Sequence, residues 1–261
     1  MPDPETESPS TVRATFSIPV GGVFLQASAQ LPVGRTTLTE LLPIIQNLEN
    51  VVTGRVMEEA RTAGSPISCQ AGCAACCRQM VPVSLFEAEA LMEWMRSLPP
   101  QRQRQLEERF HRALTALRDA GVIDKLLDTR WLLDEGFATD VSIEYFRAHV
   151  ACPFLENENC GIYSIRPLAC REYMVTSPPA LCQDPAANDV WGLQIPLKLS
   201  RVLFAFGRAM EHDVRGWIPL VFLMAWTKGG AHPGEYVTGT GEELLQQFLN
   251  KAAELVKEEK N

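Results

Sequence analysis

Apolar residues recur at helical spacing along most of the chain. The clearest stripe is Leu41, Leu42, Ile44, Ile45, Leu48, Val51, Val52 and Val56, which predicts one helical face turned toward a core. Thr37-Leu38-Thr39-Glu40 precedes it as a capping box, and Gly64-Ser65-Pro66 ends it. Gly54 is a weak point inside this helix, because glycine gives up the most backbone freedom on ordering. A second capping box, Ser84-Leu85-Phe86-Glu87, opens a helix bearing Leu85, Leu91, Trp94 and Met95, stopped by Leu98-Pro99-Pro100. Residues 101–120 predict a charged amphipathic helix with Leu106, Phe110, Leu114 and Leu117 on one face, ended by Gly121. Its Arg/Glu alternation reads as a solvated face. Two shorter helices are expected next, the second capped by Asp140 and reaching His149. Helices at about 199–212, 218–228 and 240–258 complete the set. Gly229-Gly230 would stop the middle one, and Thr240-Gly241-Glu242-Glu243 would cap the last.

A strand pattern stands out in two places. Val23, Leu25, Ala27 and Ala29 alternate with differently facing residues, and Pro19-Val20-Gly21-Gly22 supplies a turn, so a β-hairpin is expected over 13–31. Farther along, Cys152-Pro153-Phe154-Leu155 and Cys160-Gly161-Ile162-Tyr163 flank the polar Glu156-Asn157-Glu158-Asn159. Two short strands about that turn would set Cys152 and Cys160 side by side. The expected fold class is mainly α, with a short N-terminal β-hairpin and a small cysteine-rich metal-binding core. Residues 1–11 read as a disordered tail. With no internal repeat and no clear linker, residues 12–261 read as a single helical domain, its cysteine-cluster core at about 65–185.

Composition narrows the function. The 261 residues are 46% hydrophobic, enough for a sizeable core without disulfide staples. A net charge of −8 argues against a nucleic-acid surface. The first eight residues are acidic and polar and lack the basic start and apolar run of a secretory signal. The most apolar run, 218–226, is about half the ~20 residues of a membrane helix. The expectation is a cytoplasmic protein with no nucleic acid and no membrane among its partners. The sequence names no protein partner. In a reducing compartment, clustered cysteines bind metal or do redox chemistry more often than they form disulfides.

The candidate chemistry is in the eight cysteines. Cys69-Gln70-Ala71-Gly72-Cys73-Ala74-Ala75-Cys76-Cys77 packs four thiols into nine residues, and Cys152, Cys160, Cys170 and Cys182 follow downstream. A Cys-x2-Cys knuckle such as Cys73-Ala74-Ala75-Cys76 aims two sulfurs inward from one tight turn. Cys69 adds a third thiol. Cys77 differs, because adjacent side chains diverge and do not easily ligate one tetrahedral ion. The pair Cys76-Cys77 points to neighbouring metals, a polynuclear cluster, or one ligand beside a spare thiol. The count allows two tetrathiolate sites, or one with cysteines left over. Arg78, Arg166 and Arg171 lie near the cysteines in sequence, where they could offset thiolate charge or be ordinary structural arginines.

These blocks together resemble the YkgJ-type cysteine-cluster family, described as chelating zinc or iron and often labelled CxxCxxCC. The resemblance covers roughly residues 65–185 and rests on the 69–77 block, Cys152-Pro-Phe-Leu, Cys160-Gly-Ile-Tyr and Arg166-Pro-Leu-Ala-Cys170-Arg171. It implies that Cys69, Cys73, Cys76, Cys77, Cys152, Cys160 and Cys170 bind metal. The first spacing is three residues rather than two, and Cys182 lies outside the resembling pattern, although the cysteine count makes it an eighth candidate ligand. The family is similar to the cysteine-rich part of flagellin lysine methylases, which would suggest methyl transfer. No glycine-rich loop after a strand marks a nucleotide-type pocket, so that activity is not carried over.

For the cofactor, an iron–sulfur cluster ([4Fe-4S]) is placed before Zn. The spacing Cys69-x3-Cys73-x2-Cys76 equals that of radical S-adenosylmethionine enzymes, but their strand-rich barrel does not suit a helical chain. Of the histidines, His149 is a weak candidate ligand. His111, His212 and His232 read as surface or hydrogen-bonded residues. Glu156 and Glu158 are expected to solvate a turn, Tyr163 and Tyr173 to pack over the site, and Trp94 and Trp131 to sit in the core. No Ser/His/Asp set, phosphate loop or carboxylate pair names a reaction, so the sequence leaves open whether the chain is an enzyme. The function read from it is metal or cluster binding, with a structural, storage, delivery or electron-carrying role. The alternatives are a cluster-dependent enzyme of methyltransferase-like type or a structural zinc module.

Overall fold

The computed structural model describes residues 11–20, 23–70, 72–128, 130, 134–209, 215–226 and 233–258. Among these the chain is mainly helical, with a short antiparallel hairpin at its start. The hairpin joins β1 (Thr11–Val20) to β2 (Val23–Pro32), in register from Thr11↔Pro32 to Val20↔Val23. Leu25, Ala27, Ala29 and Leu31 alternate onto the inward face as expected, while Val23 is exposed. Pro19 and Val20 stay in the ladder rather than in the turn, and Gly21 and Gly22 lie outside the described residues. Thr11 is already strand, and the rest of the expected tail also lies outside them. β3 (Arg35–Thr37) pairs with β8 (Thr238–Thr240), a link too short to show as alternation.

Thr37 and Glu40 do exchange capping bonds. Thr37 Oγ1 accepts from Glu40 N–H at 3.1 Å, and Glu40 Oε2 accepts from Thr37 N–H at 2.9 Å. They close a turn before the helix, because α1 (Leu42–Thr62) begins later, with Pro43 in its first turn. Its end is as expected. Gly64 takes φ 79°, and the N–H groups of Gly64 and Ser65 reach back to Arg61 and Ala60 at 3.1 and 2.9 Å. The capping box of α2 (Leu85–Ser97) is complete. α3 (Pro100–Asp119) buries Leu106, Phe110 and Leu117. The two shorter helices are α4 (Ile123–Leu127) and α5 (Glu135–Arg147). Asp134, not Asp140, caps α5, accepting the Phe137 N–H at 3.0 Å. Asp140 is an exposed mid-helix residue, and α5 stops before His149 at φ 50°.

The second half departs more from expectation. β4 (Pro82–Ser84) pairs with β7 (Trp217–Pro219), so the helix expected at 218–228 starts instead as a strand. Ile218 is buried there, and Pro219, with no N–H to give a helix, ends the ladder. A 3-10 turn (Leu220–Phe222) leads to α8 (Leu223–Trp226), and the Gly229-Gly230 stop lies outside the described residues. α6 (Leu168–Glu172) and α9 (Pro233–Tyr236) are short and were not anticipated. α7 (Leu199–Arg208) and α10 (Gly241–Glu258) were, the latter with Thr240 and Glu243 exchanging bonds at 2.9 and 3.2 Å. Among the described residues, no helix is long and apolar enough to cross a membrane.

Among the described residues, three apolar clusters form the core. The first gathers the hairpin, α1, α7 and α10 around Leu31, Ile45, Val52, Leu203 and Phe248. The second gathers α2, α3 and β7 around Phe110, Phe154 and Ile218. Phe154 sits edge-on to both Phe110 and Trp94, with centroids 5.3 and 6.1 Å apart. The third joins α3, α4 and α5 at Leu117, Leu126 and Tyr145. The cysteine segments lie against the first and second clusters.

Candidate metal centre

The first block follows α1 as extended chain. Ser68 donates its N–H to Val175 O at 2.9 Å and its hydroxyl to Ser177 O, which ties Cys69 to the segment leading to Cys182. Gly72, at φ 82°, takes a left-handed turn that a side chain would disfavour. Cys73 N–H bonds Gln70 O at 3.0 Å, and Cys76 and Cys77 ride on a 3-10 turn (Ala75–Arg78).

The second block meets this turn. Cys152 N–H donates to Cys77 O at 2.7 Å. β5 (Leu155–Glu156) and β6 (Asn159–Cys160) form the expected hairpin, with Asn157 and Glu158 both at positive φ. Its register sets Cys160 opposite Leu155, not Cys152. Cys152 lies just before the hairpin, where its carbonyl accepts the Leu155 N–H at 2.9 Å. Cys170 is on α6. Cys182 is buried in a 3-10 turn (Pro179–Gln183) packed on the turn of Cys76 and Cys77. All eight cysteines are free, and the other seven are half-buried.

Burial pushes several of these thiols up. Cys152 is pushed up to about 12, first by burial and then by Cys160 and Cys76. Cys170 lies well above the ordinary thiol range, from burial and then from Cys152, Cys76 and Cys160. Cys69 and Cys182 are also raised by burial, with Cys73 and Cys76 contributing to both. Cys76 is raised first by its hydrogen bond with Cys77 and then by burial. Thiols held this high keep their protons at neutral pH unless a cation takes their place, and metal binding does that. Eight soft donors suit zinc or iron. Among the described residues, no three His, Cys, Asp or Glu side chains already converge as a group that could hold a metal ion.

The three arginines differ. Arg78 donates to Glu158 at 2.8 and 3.1 Å and to Ala74 O at 3.0 Å. Arg171 donates to Ser164 O, Arg166 O and Asn50 Oδ1 at 2.6, 3.0 and 3.0 Å. Arg166 lies over the Tyr163 ring at 4.2 Å, near Cys69 and Cys76, and its buried Nε has no hydrogen-bond partner. An orphaned donor beside thiols fits a site built for an added acceptor.

Buried carboxyls that sequence reasoning missed hold α6 in place. Glu87 completes the capping box of α2 by accepting the Ser84 N–H and also accepts the Leu168 N–H at 2.7 Å. Glu172 accepts the Ser200 N–H at 2.8 Å and its hydroxyl at 2.5 Å, beside Glu49. Burial, then the Glu172 charge, pushes Glu49 up to about 9. Its place on the Leu42–Ile45–Val52 stripe of α1 was the available signal.

The remaining candidates fall out as follows. His149 is exposed and lines a cleft of about 490 Å³ that reaches Cys152, and His111 is exposed on α3. His212, His232 and Trp131 lie outside the described residues. Glu156 does more than solvate its turn, pairing with Arg102 and, at 3.0 Å, with Arg109. Tyr173 and Tyr163 are both exposed; Tyr173 is within electrostatic reach of Cys182, Cys76 and Cys69 and accepts from Gln79 at 3.1 Å. Trp94 is half-buried.

Residues 68–189 match a family model, CxxCxxCC, described as "Putative zinc- or iron-chelating domain". The match extends past Cys182 and so takes in all eight cysteines. No curated protein and no solved structure matches the chain. The matched stretch, slightly under half of the chain, is therefore similar to the CxxCxxCC domains from the turn of Cys69 to beyond Cys182.

Proposed function

We propose that this chain is a metal-binding protein whose two cysteine blocks hold an iron–sulfur cluster of the [4Fe-4S] kind, with Zn as the alternative occupant. Its ligands are drawn from Cys69, Cys73, Cys76, Cys77, Cys152, Cys160, Cys170 and Cys182. The observation that carries this reading is the position of Cys76. Its thiol is within electrostatic reach of Cys69 and Cys182 and also of Cys152 and Cys170, from both blocks. The unpartnered Arg166 Nε suits either occupant, because zinc-bound thiolates and the sulfurs of a cluster both accept such N–H bonds. A bound cluster would supply one-electron chemistry, and the chain's own part is to shield it, orient its thiolates and offset their charge. The reading takes residues 12–261 as one domain and the reducing cytoplasm as its compartment, where the thiols stay free. The cleft reaching Cys152, walled by Arg112, His149 and the Arg109–Glu156 pair, supports a second reading as a cluster-dependent enzyme.

Anaerobic purification tests the proposal. A brown protein with broad absorbance near ~400 nm and matched iron and sulfide is the expected result. A colourless protein carrying zinc would replace the cluster with the alternative. A folded protein that takes up neither metal would refute the reading. Cys73→Ala and Cys160→Ala should each lower metal content and stability together, since site formation and folding are linked.

A further inference from the structure

We propose that the eight cysteines form two metal centres. Cys69, Cys73 and Cys182 serve one, Cys152, Cys160 and Cys170 the other, and the tandem Cys76–Cys77 gives one thiolate to each. This deepens the metal-binding reading above and rests on it.

The first support is packing. Cys69 lies against the apolar cluster of α1, α7 and α10, whereas Cys152 and Cys160 lie against the cluster of Phe110 and Phe154. The second is the backbone. Ser68 is tied to Val175 and Ser177, so Cys69 and the segment running to Cys182 stay together. The Cys182 turn packs on the Cys76–Cys77 turn, while the N–H of Cys152 holds the carbonyl of Cys77 at 2.7 Å. The turn with the tandem pair therefore touches both groups. The electrostatic neighbours divide the same way. Cys182 is within electrostatic reach of Cys69, Cys73 and Cys76, and Cys170 of Cys152, Cys160 and Cys76.

Ligand chemistry closes the count. A tetrathiolate zinc site and a cubane cluster each take four thiolates. Three from each group leave both short by one, and the tandem pair supplies two. In this structure the Cys76 and Cys77 thiols are hydrogen-bonded to each other, so the pair sits together where two neighbouring centres would meet. This division gives Cys182 a ligand's role that the resembling motif alone did not. It also explains why Arg166, near Cys69 and Cys76, keeps an unspent donor where two anionic centres would meet.

The test is a count of centres on the full-length chain, by metal and sulfide analysis with native mass spectrometry. Wild-type protein should carry two centres, either two clusters or two zinc ions. Cys182→Ser should halve the load and Cys160→Ser should halve it too. The double variant should lose all of it, because the two serines strike different centres. A load of one centre in wild type, or a double variant no emptier than either single one, would overturn the division while leaving metal binding intact. Because a variant may fail to fold, cadmium titration of chelator-treated wild type gives a separate count. Saturation of the thiolate charge-transfer band at two equivalents is expected, and saturation at one overturns the proposal. A chain that binds no metal would instead defeat the underlying reading.

Discussion

Replacing Glu87 by alanine should be among the most damaging single changes outside the cysteines. Its carboxylate is fully buried and joins two helix starts. Oε2 accepts the Ser84 N–H at 3.0 Å and the Ser84 hydroxyl at 2.7 Å, and Oε1 accepts the Leu168 N–H at 2.7 Å. Alanine leaves two buried backbone donors unsatisfied, at about 1–3 kcal/mol each. It also removes half of a capping box and opens a void. Part of this is returned, because burial already pushes the Glu87 carboxyl up and that cost disappears. A net loss of about 3–4 kcal/mol remains, which for a chain of this size lowers Tm by roughly 10 °C. Circular-dichroism melts in excess chelator would measure it without the metal contribution. Gln should be intermediate, because one of its two ends would set an amide N–H against a backbone donor. Since Leu168 opens the helix that carries Cys170, metal retention should fall as well. A Glu87→Ala melt within ~3 °C of wild type would refute the account of Glu87 as the common tether of α2 and α6.

Three further changes probe other parts of the argument. Glu49 binds its proton up to about 9 in the folded chain against 4.5 ordinarily, so between those values the folded state holds more protons than the unfolded one. Its stabilising contribution is complete below pH 4.5 and is lost as pH rises toward 9. Chelator-treated wild type should therefore weaken across that window, and Glu49→Gln should flatten the slope in urea titrations; an unchanged slope would count against a buried Glu49 that keeps its proton. Gly207→Ala should cost about 3 kcal/mol by chemical denaturation, because its new Cβ would lie 2.5 Å from Gly216 O and 2.7 Å from Gly216 Cα, neither of which can swing aside. Arg166→Gln should change sign with loading: neutral or stabilising in chelator, where it removes an orphaned buried donor, and destabilising in metal-loaded protein, where it removes a counter-charge. Melts with and without chelator that shift by the same amount would leave Arg166 no role toward the metal.

Much of the helical framework was legible because its signals are local. The capping box of α2, the glycine end of α1 and the alternation of β2 each depend on residues within a turn or two. What the sequence misled on depends on distant partners. Residues 218–228 have enough apolar character for a helix, yet Trp217, Ile218 and Pro219 become strand because β4 offers them a ladder from more than a hundred residues away. Asp140 looked like a cap only because the nearer competitor, Asp134, sits beyond a weakly patterned stretch. Thr37 and Glu40 formed their box, but the proline after Leu42 delayed the helix it was expected to start.

The site shows the same division between local and distant causes. Eight thiols in two blocks are a pattern any reader of the chain can see, and soft-ligand chemistry follows from it. Their grouping does not follow, because the Ser68 bonds to Val175 and Ser177 and the Cys152 bond to Cys77 decide it, and neither leaves a mark on spacing. The three arginines read alike in sequence, yet Arg78 is spent on Glu158 and Arg171 on carbonyls and Asn50. Arg166 alone of the three keeps a buried donor in hand. A buried guanidinium Nε without a partner beside raised thiols is costly in itself, by about 1–3 kcal/mol. On the proposed metal-binding reading, that cost would be recovered when the thiols give up their protons to a metal and become stronger acceptors, which would couple the charge of Arg166 to the loading of the cysteines.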